Sequence, residues 1–411
     1  MERLLLLIPT TSYRVADFMA AARRLDVEVV VGSNERPVLE QYAAGRTVTL
    51  DFADVDRGFE QIAAFARDHP LAAILGVDDE TTLLAATASE RLGLPHNTPE
   101  SVAATRDKYR FRSVLANAGP PAPAFQQLAL DDDPALAARV APYPCVLKPV
   151  ALAASRGVIR ADDEAGFIAA FERIARILRG PEVAGFGEAN QRILVESFIP
   201  GAEVALEGLL IRGRLHVLAL FDKPDPLDGP FFEETIFVTP SRLPTAVQER
   251  ITATVEQAIA ALGLRDGPIH AELRVNRDGV WPIEVAARSI GGLCSRVLRF
   301  GAGVRLEELI LGHALGLSIE SLERERRPAG VMMIPTPMAG TLRAVRGLDE
   351  ARAVAGVDEA TISIAIGHEV APPPEGTHYL GFIFAHGDTP EAAEASLREA
   401  HRRLEFDIEA A

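Results

Sequence analysis

Three groups of side chains in this sequence could do chemistry together: a small set of lysines, a pair of mid-strand glutamates, and a glutamate pair flanking a Pro-Gly link. Lysine fills only three of the 42 Lys and Arg positions, at Lys108, Lys148 and Lys223. Elsewhere the chain writes arginine wherever a positive charge serves. A lysine is a compact point charge on a flexible stem, suited to a phosphate oxygen, whereas arginine presents a broad planar fork. Lys148 lies in the apolar run "PCVLKPV", just ahead of the small-residue loop "ALAASRGV". If Ser155, Arg156 and Gly157 make a tight turn there, the loop amides can cradle phosphates.

Glu272 and Glu284 lie in "HAELRVNRDGVWPIEVAAR", each among apolar residues, with the turn sequence "NRDG" between them. A three-residue hairpin loop of Arg277, Asp278 and Gly279 would set the two carboxylates opposite each other on one face. A two-residue Asp-Gly loop would put them on opposite faces, because a slip of one residue reverses every side chain. Paired anions in a half-buried sheet need a cation between them, and oxygen-only ligation points to Mg²⁺ or Mn²⁺. One glutamate simply facing solvent is the plainer alternative. In "ILVESFIPGAEVALEG", Glu196 ends a strand and Glu203 begins the next, joined through Pro200 and Gly201. A strand-end hinge offers backbone donors and acceptors to an adenine edge, and the Glu203 carboxylate can accept from ribose hydroxyls.

These residues need a scaffold, and hydrophobic periodicity supplies one. The runs "RLLLLI" and "VEVVVG" flank a helical pattern, which predicts a βαβ unit and a parallel sheet in an α/β domain over 1–103. A helix is expected over 104–122, ended by Gly119 and two prolines. Strands follow at "PCVLKPV", "GVIRA" and "QRILVESFI", then an antiparallel set from 203 to 240, a helix over 244–263, and the strands holding Glu272 and Glu284. These form a second domain over 104–325. The charged "ERERRPAG" marks a boundary to a small α+β unit over 326–411, with strands "VMMIPTP", "TISIAIG" and "YLGFIFAHG" and a last helix over 389–404.

The net charge of −16 and pI near 5.1 argue against a nucleic-acid or anionic-membrane surface, so any phosphate bound must be held locally. No GxGxxG follows the first strand and no Walker A sequence occurs, which removes the main warrant for a dinucleotide or P-loop enzyme. Cys145 and Cys294 sit in apolar contexts, as reduced packing residues of a cytoplasmic protein do. The apolar start is too short for a signal core and reads as a strand.

Lys108 in "RDKYRFR", Lys148 in "VLKP", the "VESFIPGAE" hinge and the Glu272, Glu284 and Arg288 series together resemble the ATP-grasp superfamily. The likeness is to carboxylate–amine ligases of the L-amino-acid ligase (dipeptide synthetase) kind and runs over nearly the whole chain. It implies an N-terminal parallel α/β domain, a two-lobed ATP-grasp domain and a C-terminal α+β domain. It also implies that Lys108 and Lys148 hold ATP phosphates, Glu196 to Ile199, with Phe198, form the adenine hinge, and Glu203 meets the ribose. Glu272 and Glu284 would then bind Mg²⁺ or Mn²⁺, and Arg288 would be the arginine of the family's E-x-N-x-R, whose asparagine is Ala286 here. The phosphate loop, with Ser155 and Gly157, carries fewer glycines than many relatives.

The reaction implied is attack of a carboxylate on the ATP γ-phosphate, then attack of an amine on the acyl phosphate, with release of ADP and phosphate. Small-molecule substrates, amino acids above all, are expected, with no nucleic acid or membrane partner; a homodimer is compatible. Gly291 and Gly292 could admit a substrate backbone closely or simply start a helix. Lys223, placed in an acidic loop, would reach the γ-phosphate or acyl phosphate on closure while Glu234 or a neighbouring acid recognises the substrate ammonium; a solvated loop charge is the alternative. The C-terminal "GFIFAHGDTPEAAEASLREA" is also similar to biotin carboxylases, so an ATP-dependent carboxylase is a second reading and a non-catalytic nucleotide sensor a third.

Overall fold

The computed structural model describes residues 2–35, 46–376 and 378–410. The leucine-rich start forms β1 (Arg3–Leu7), whose leucines are all buried. With β2 (Glu28–Ser33), β3 (Thr47–Thr49) and β4 (Ala73–Gly76) it makes a parallel sheet ordered β3-β2-β1-β4. Helix α1 (Val15–Leu25) links β1 to β2, α2 (Val55–Asp68) links β3 to β4, and α3 (Asp79–Leu92) follows β4. A parallel sheet covered on both faces explains why its strands read as continuous apolar runs.

The single helix expected over 104–122 is two: α4 (Pro99–Arg106) and α5 (Lys108–Ala118). Between them Asp107 is extended, and its carboxylate accepts from the Arg110 amide at 2.9 Å. An aspartate satisfying first-turn amides competes successfully with helix continuation. Lys108 is thereby moved from mid-helix to the first turn of α5.

A small antiparallel lobe follows, ordered β5-β8-β6-β7. Its elements are β5 (Phe125–Ala129), α6 (Pro134–Ala138), β6 (Cys145–Pro149), β7 (Ile159–Ala161), α7 (Glu164–Leu178) and β8 (Arg192–Ser197). Phe167, Phe171, Ile174 and Leu178 of α7 are spaced at helical intervals and pack on Leu147, Ile193 and Val195.

The large lobe contains β9 (Ala202–Ile211), β10 (Arg214–Lys223), β11 (Ile236–Thr239), α8 (Thr245–Leu262), β12 (Gly267–Asn276), β13 (Gly279–Ala286) and α9 (Leu306–Ala314). Beyond them lie β14 (Ala329–Ile334), β15 (Gly340–Arg346), α10 (Leu348–Arg352), β16 (Val357–Ile362), β17 (Glu369–Val370), β18 (Gly381–His386), α11 (Pro390–Arg402) and β19 (Glu405–Glu409). One sheet, ordered β13-β12-β9-β10-β11-β14-β18-β16, runs unbroken through the charged 323–330 stretch, because β14 pairs with β11. The strand expected at "TISIAIG" begins earlier, at Val357. The small sheet β17-β15-β19 was not foreseen.

Strand alternation then positions the chemistry. Val204, Leu206, Ile269 and Leu273 face α8 and α5, where Ile251, Val255, Ile259 and Phe111 cover them. Burying each such side chain contributes roughly 1.5–3 kcal/mol. The opposite face must therefore carry Glu203 and Glu207 from β9, His270, Glu272 and Arg274 from β12, and Lys223 from β10.

The turn of the β12–β13 hairpin is neither anticipated loop: Arg277 and Asp278 alone lie between the paired Asn276 and Gly279, and Leu273 pairs with Pro282. The Asn276 side-chain oxygen accepts from both the Asp278 and Gly279 amides and closes the turn. Pro282 has no N–H to continue the ladder, and a bulge at Ile283 follows on this edge strand. The extra residue restores Glu284 to a position directly opposite Glu272.

Candidate active site

A cavity of about 610 Å³ opens between the N-terminal sheet, the small lobe and the polar face of the large sheet. That volume is in the range of small-molecule sites. It is lined by Lys108, Lys148, Ser155, Glu196, Phe198, Ile199, Glu203, Glu234, Glu272, Glu284, Arg288, Gly291 and Gly292. Of the residues singled out from sequence, Gly157 and Lys223 lie outside its lining.

At one end sit two of the lysines. Lys108 donates through Nζ to the Leu152 carbonyl at 2.6 Å and through its amide to the Val150 carbonyl at 3.1 Å, holding the loop after β6. Its ammonium is 3.8 Å from the Glu284 carboxylate. Lys148 is buried and donates to Glu196. The Glu196 carboxylate also accepts from Arg112 at 2.7 and 3.2 Å, and Arg112 reaches the carbonyls of Pro282 and Ile283 at the hairpin bulge. Burial alone would raise Glu196, but the guanidinium and the ammonium hold it down at about 2. Burial, with Arg112 and Lys108 nearby, lowers Lys148 to about 8 despite its partner.

The phosphate-loop candidate turns as expected: the Val158 amide donates to the Ser155 carbonyl at 3.1 Å, across Arg156 and Gly157. Ala154 and Ser155 adopt positive φ without being glycine, so the loop reaches this path with few glycines. Gly157 has φ +71° and packs so closely that a Cβ would lie 2.7 Å from Pro149 Cγ. Its amide donates to the Pro374 carbonyl at 2.9 Å, joining the loop to the C-terminal segment rather than facing the cavity.

In the hinge, the Phe198 amide donates to Pro144 at 2.9 Å, and the Ile199 carbonyl accepts from Arg274 at 2.7 Å. The guanidiniums of Arg160 and Arg274 pack on the Phe198 ring, 4.3 and 5.0 Å from its centre. Glu203 accepts from Arg274 and from Lys223, each at 2.9 Å.

The placement of Lys223 in an acidic solvent loop is overturned. Lys223 is the last residue of β10, directly opposite Glu203 in register and buried. Its ammonium donates to Glu203 at 2.9 Å, Glu234 at 2.5 Å and Glu272 at 2.8 Å. The last six residues of "RLHVLALFDK" are all buried, so the strand carries the lysine into the interior. Oxygens of the three carboxylates lie within 4.8 Å of one another. Burial and the neighbouring Glu272 push Glu234 up to about 8, whereas Lys223 and His270 hold Glu272 well below the usual range against its burial.

His270 spans two acids on the same face: Nε2 is 3.3 Å from Glu272 and Nδ1 is 3.5 Å from Glu207. Burial opposes its charge, but the two carboxylates raise it to about 9. Glu207 accepts from the Ile290 amide at 3.0 Å and so fixes the start of the glycine loop. Arg288 is held by Asp79 of α3 at 2.7 Å, which ties the N-terminal domain to the end of β13. Gly292 donates to the Tyr13 hydroxyl at 2.6 Å, and a Cβ there would lie 2.3 Å from Met333 Sδ. A short 3₁₀ turn, Cys294–Val297, follows, so the glycines both line the cavity and precede a helical turn.

Arg112, His270, Glu207 and Asp79 were not singled out from the sequence. His270-x-Glu272-x-Arg274 and Glu203-x-x-x-Glu207 follow strand period and could have been found as polar residues sharing one face. Arg112 and Asp79 carry no such local signal. Glu272 and Glu284, opposed across two strands at the cavity wall and offering only carboxylate oxygens, fit a hard divalent cation. Ala286, where the resembled family has asparagine, is buried opposite His270.

Comparison with known families supports the same assignment. The ATP-grasp N-terminal domain matches residues 19–96, the ATP-grasp domain residues 141–297, and the L-amino acid ligase C-terminal domain 2 residues 332–409. The fold superposes on the crystal structure of an L-amino acid ligase from Bacillus licheniformis with a TM-score of 0.84, at 27% identity, covering 100% of this chain and 99% of that one. The chain belongs to the ATP-grasp ligases. The ligase is also similar to the dapdiamide A synthase of Enterobacter agglomerans, at 30% identity over 58% of this chain and 55% of that protein. It is 27% identical to the alanine–anticapsin ligase of Bacillus subtilis over 55% of this chain and 50% of the other. It thus aligns with about half the length of these two curated relatives. The ligase is an ATP-using enzyme that forms C–N bonds, in a family that uses divalent metals. Among the described residues no helix is long and apolar enough to cross a membrane.

Proposed function

We propose that the ligase joins the carboxylate of one amino acid to the amine of another, through an acyl phosphate, with release of ADP and phosphate. The observation that carries this reading is that Lys108 and Lys148 share one cavity with Glu272, Glu284 and Arg288. A carboxylate is a poor electrophile because its leaving group would be oxide. Transfer of the γ-phosphoryl group to a carboxylate oxygen breaks the bond to the β-phosphate oxygen and releases ADP. Attack of the amine on the activated carbonyl then forms the C–N bond and releases phosphate.

Lys108 and Lys148 hold the ATP phosphates, with the Ser155 turn beneath them. The hinge from Glu196 to Ile199, including Phe198, receives the adenine, and Glu203 the ribose. Glu272 and Glu284 hold Mg²⁺ or Mn²⁺, which neutralises phosphate charge when bound. Arg288, aimed by Asp79, stabilises the charge on the carboxylate as it accepts the phosphoryl group. Glu234 recognises the substrate ammonium, and the Gly291-Gly292 turn admits the substrate backbone. The two buried free thiols, with Cys145 pushed up to about 12 by burial, support a reducing compartment, the cytoplasm.

A screen of amino-acid pairs with ATP, followed for both phosphate and pyrophosphate, tests the reading. ADP and phosphate that appear only with a productive pair are expected, together with a dipeptide by mass spectrometry. AMP and pyrophosphate would overturn the acyl-phosphate route, and turnover requiring bicarbonate and biotin would indicate a carboxylase instead.

A further inference from the structure

Lys223 lies outside the cavity lining, yet its three partners, Glu203, Glu234 and Glu272, all line it. An ammonium has three N–H donors, and all three are engaged: one oxygen each of Glu203, Glu234 and Glu272 accepts from Nζ. The backbone leaves it little freedom, since β10 pairs with β9 from Arg214 through Lys223, ending at the Lys223 to Glu203 pair. The ammonium also sits 4.9 Å from the Phe237 ring centre. A lysine so held cannot approach a phosphate without releasing a buried carboxylate.

Three carboxylates converging within 4.8 Å are a cation pocket, and the chain places its own cation there. One of the three, Glu272, is also a candidate ligand for the divalent metal. We propose that Lys223 is a positioning residue: a tethered counter-ion that fills the three-carboxylate pocket in place of a free divalent cation and presets Glu272 for the metal that arrives with ATP. The inference rests on the reading of Glu272 as a metal ligand, and it concerns the nucleotide-free protein.

Two consequences follow from the charge balance. Without the ammonium, the three acids repel one another in a poorly solvated pocket and must take up protons or a cation. With the ammonium present, the same pocket has no room for a free divalent ion. Charge alone is not sufficient: an arginine presents a planar fork, and its donors do not converge on one point as an ammonium's do.

The test is thermal unfolding of the full chain, with no ATP or amino acid, in chelator and then in excess Mn²⁺. The variants are Lys223→Met, Lys223→Arg and the double variant Lys223→Met with Glu234→Gln. The parent is expected to melt at the same temperature in both conditions. Lys223→Met should melt several degrees lower in chelator and recover most of that loss in Mn²⁺, with Lys223→Arg behaving likewise. The double variant, with one acid neutralised, should recover in chelator without metal. A merely structural lysine would lower the melting temperature without Mn²⁺-specific recovery, and that result overturns the proposal. So does a Mn²⁺ shift as large in the parent. If Lys223→Met does not fold, the double variant decides: folded supports the proposal, unfolded overturns it. Because no substrate is present, a failed search for amino-acid substrates leaves this outcome untouched, and the reverse also holds.

Discussion

Glu272 and Glu284 stand directly opposite each other across β12 and β13, yet their carboxylates turn to different cations. Glu272 meets Lys223 at 2.8 Å, from the strand two places away in the sheet, while Glu284 lies 3.8 Å from Lys108 at the start of α5. The pair therefore joins the acidic wall of the cavity to its phosphate end.

Glu284→Gln should lower kcat by several orders of magnitude, since losing a group that holds a charge-neutralising ion costs on the order of several kcal/mol of barrier. The amide keeps the shape, and the one ion pair lost is long and partly exposed. Thermal unfolding should therefore move by only a few degrees. Normal turnover by this variant would remove Glu284 from the metal site.

Ala286→Asn adds an amide oxygen beside Glu284 on the strand that carries both. The concentration of Mg²⁺ giving half-maximal turnover should fall severalfold. An unchanged requirement, measured by titrating Mg²⁺ at fixed ATP, would show that position 286 does not reach the ion.

Arg112→Leu leaves Glu196 and the Pro282 and Ile283 carbonyls without their guanidinium. Breaking a buried pair from one side costs roughly 3–5 kcal/mol. Urea unfolding should show a loss of that size, and a change below about 1 kcal/mol would mean that water replaces the arginine at little cost.

The Glu196 and Lys148 pair gives two pH limits. Glu196 is held at about 2 when folded, against an ordinary glutamate value when unfolded. Its contribution to stability is present above the unfolded value and is lost as pH falls through the acid range toward 2. Lys148, lowered to about 8, loses its proton above that pH. If it holds ATP, kcat/KM for ATP should fall about tenfold per pH unit beyond 8, because that ratio reports the free enzyme. A profile flat to pH 10 would separate Lys148 from phosphate binding.

The sequence by itself determined which residues could be brought together, because strand period assigns side chains to faces. The alternation in "HAELRVN" and "AEVALEG" places Glu203, Glu272 and their polar neighbours on one face and the apolar residues on the other, whatever the strands later pack against. Lysine scarcity likewise marked Lys108 and Lys148 before any contact was known. Tertiary structure decided what each charge faces. Lys223 was read as standing in an acid-rich loop between two strands, but it is the buried last residue of β10, and neighbouring strands plus Glu234 close around it. Arg112 gave no signal, since its partners lie 84 and 170 residues away in sequence. The hairpin register rested on a bulge whose cause, a proline at an edge, is visible in sequence but whose position depends on which strand lies at the edge. Periodicity is local and survives in the chain. Pairing of buried charges is a property of contacts between distant segments, and only the packed fold specifies it.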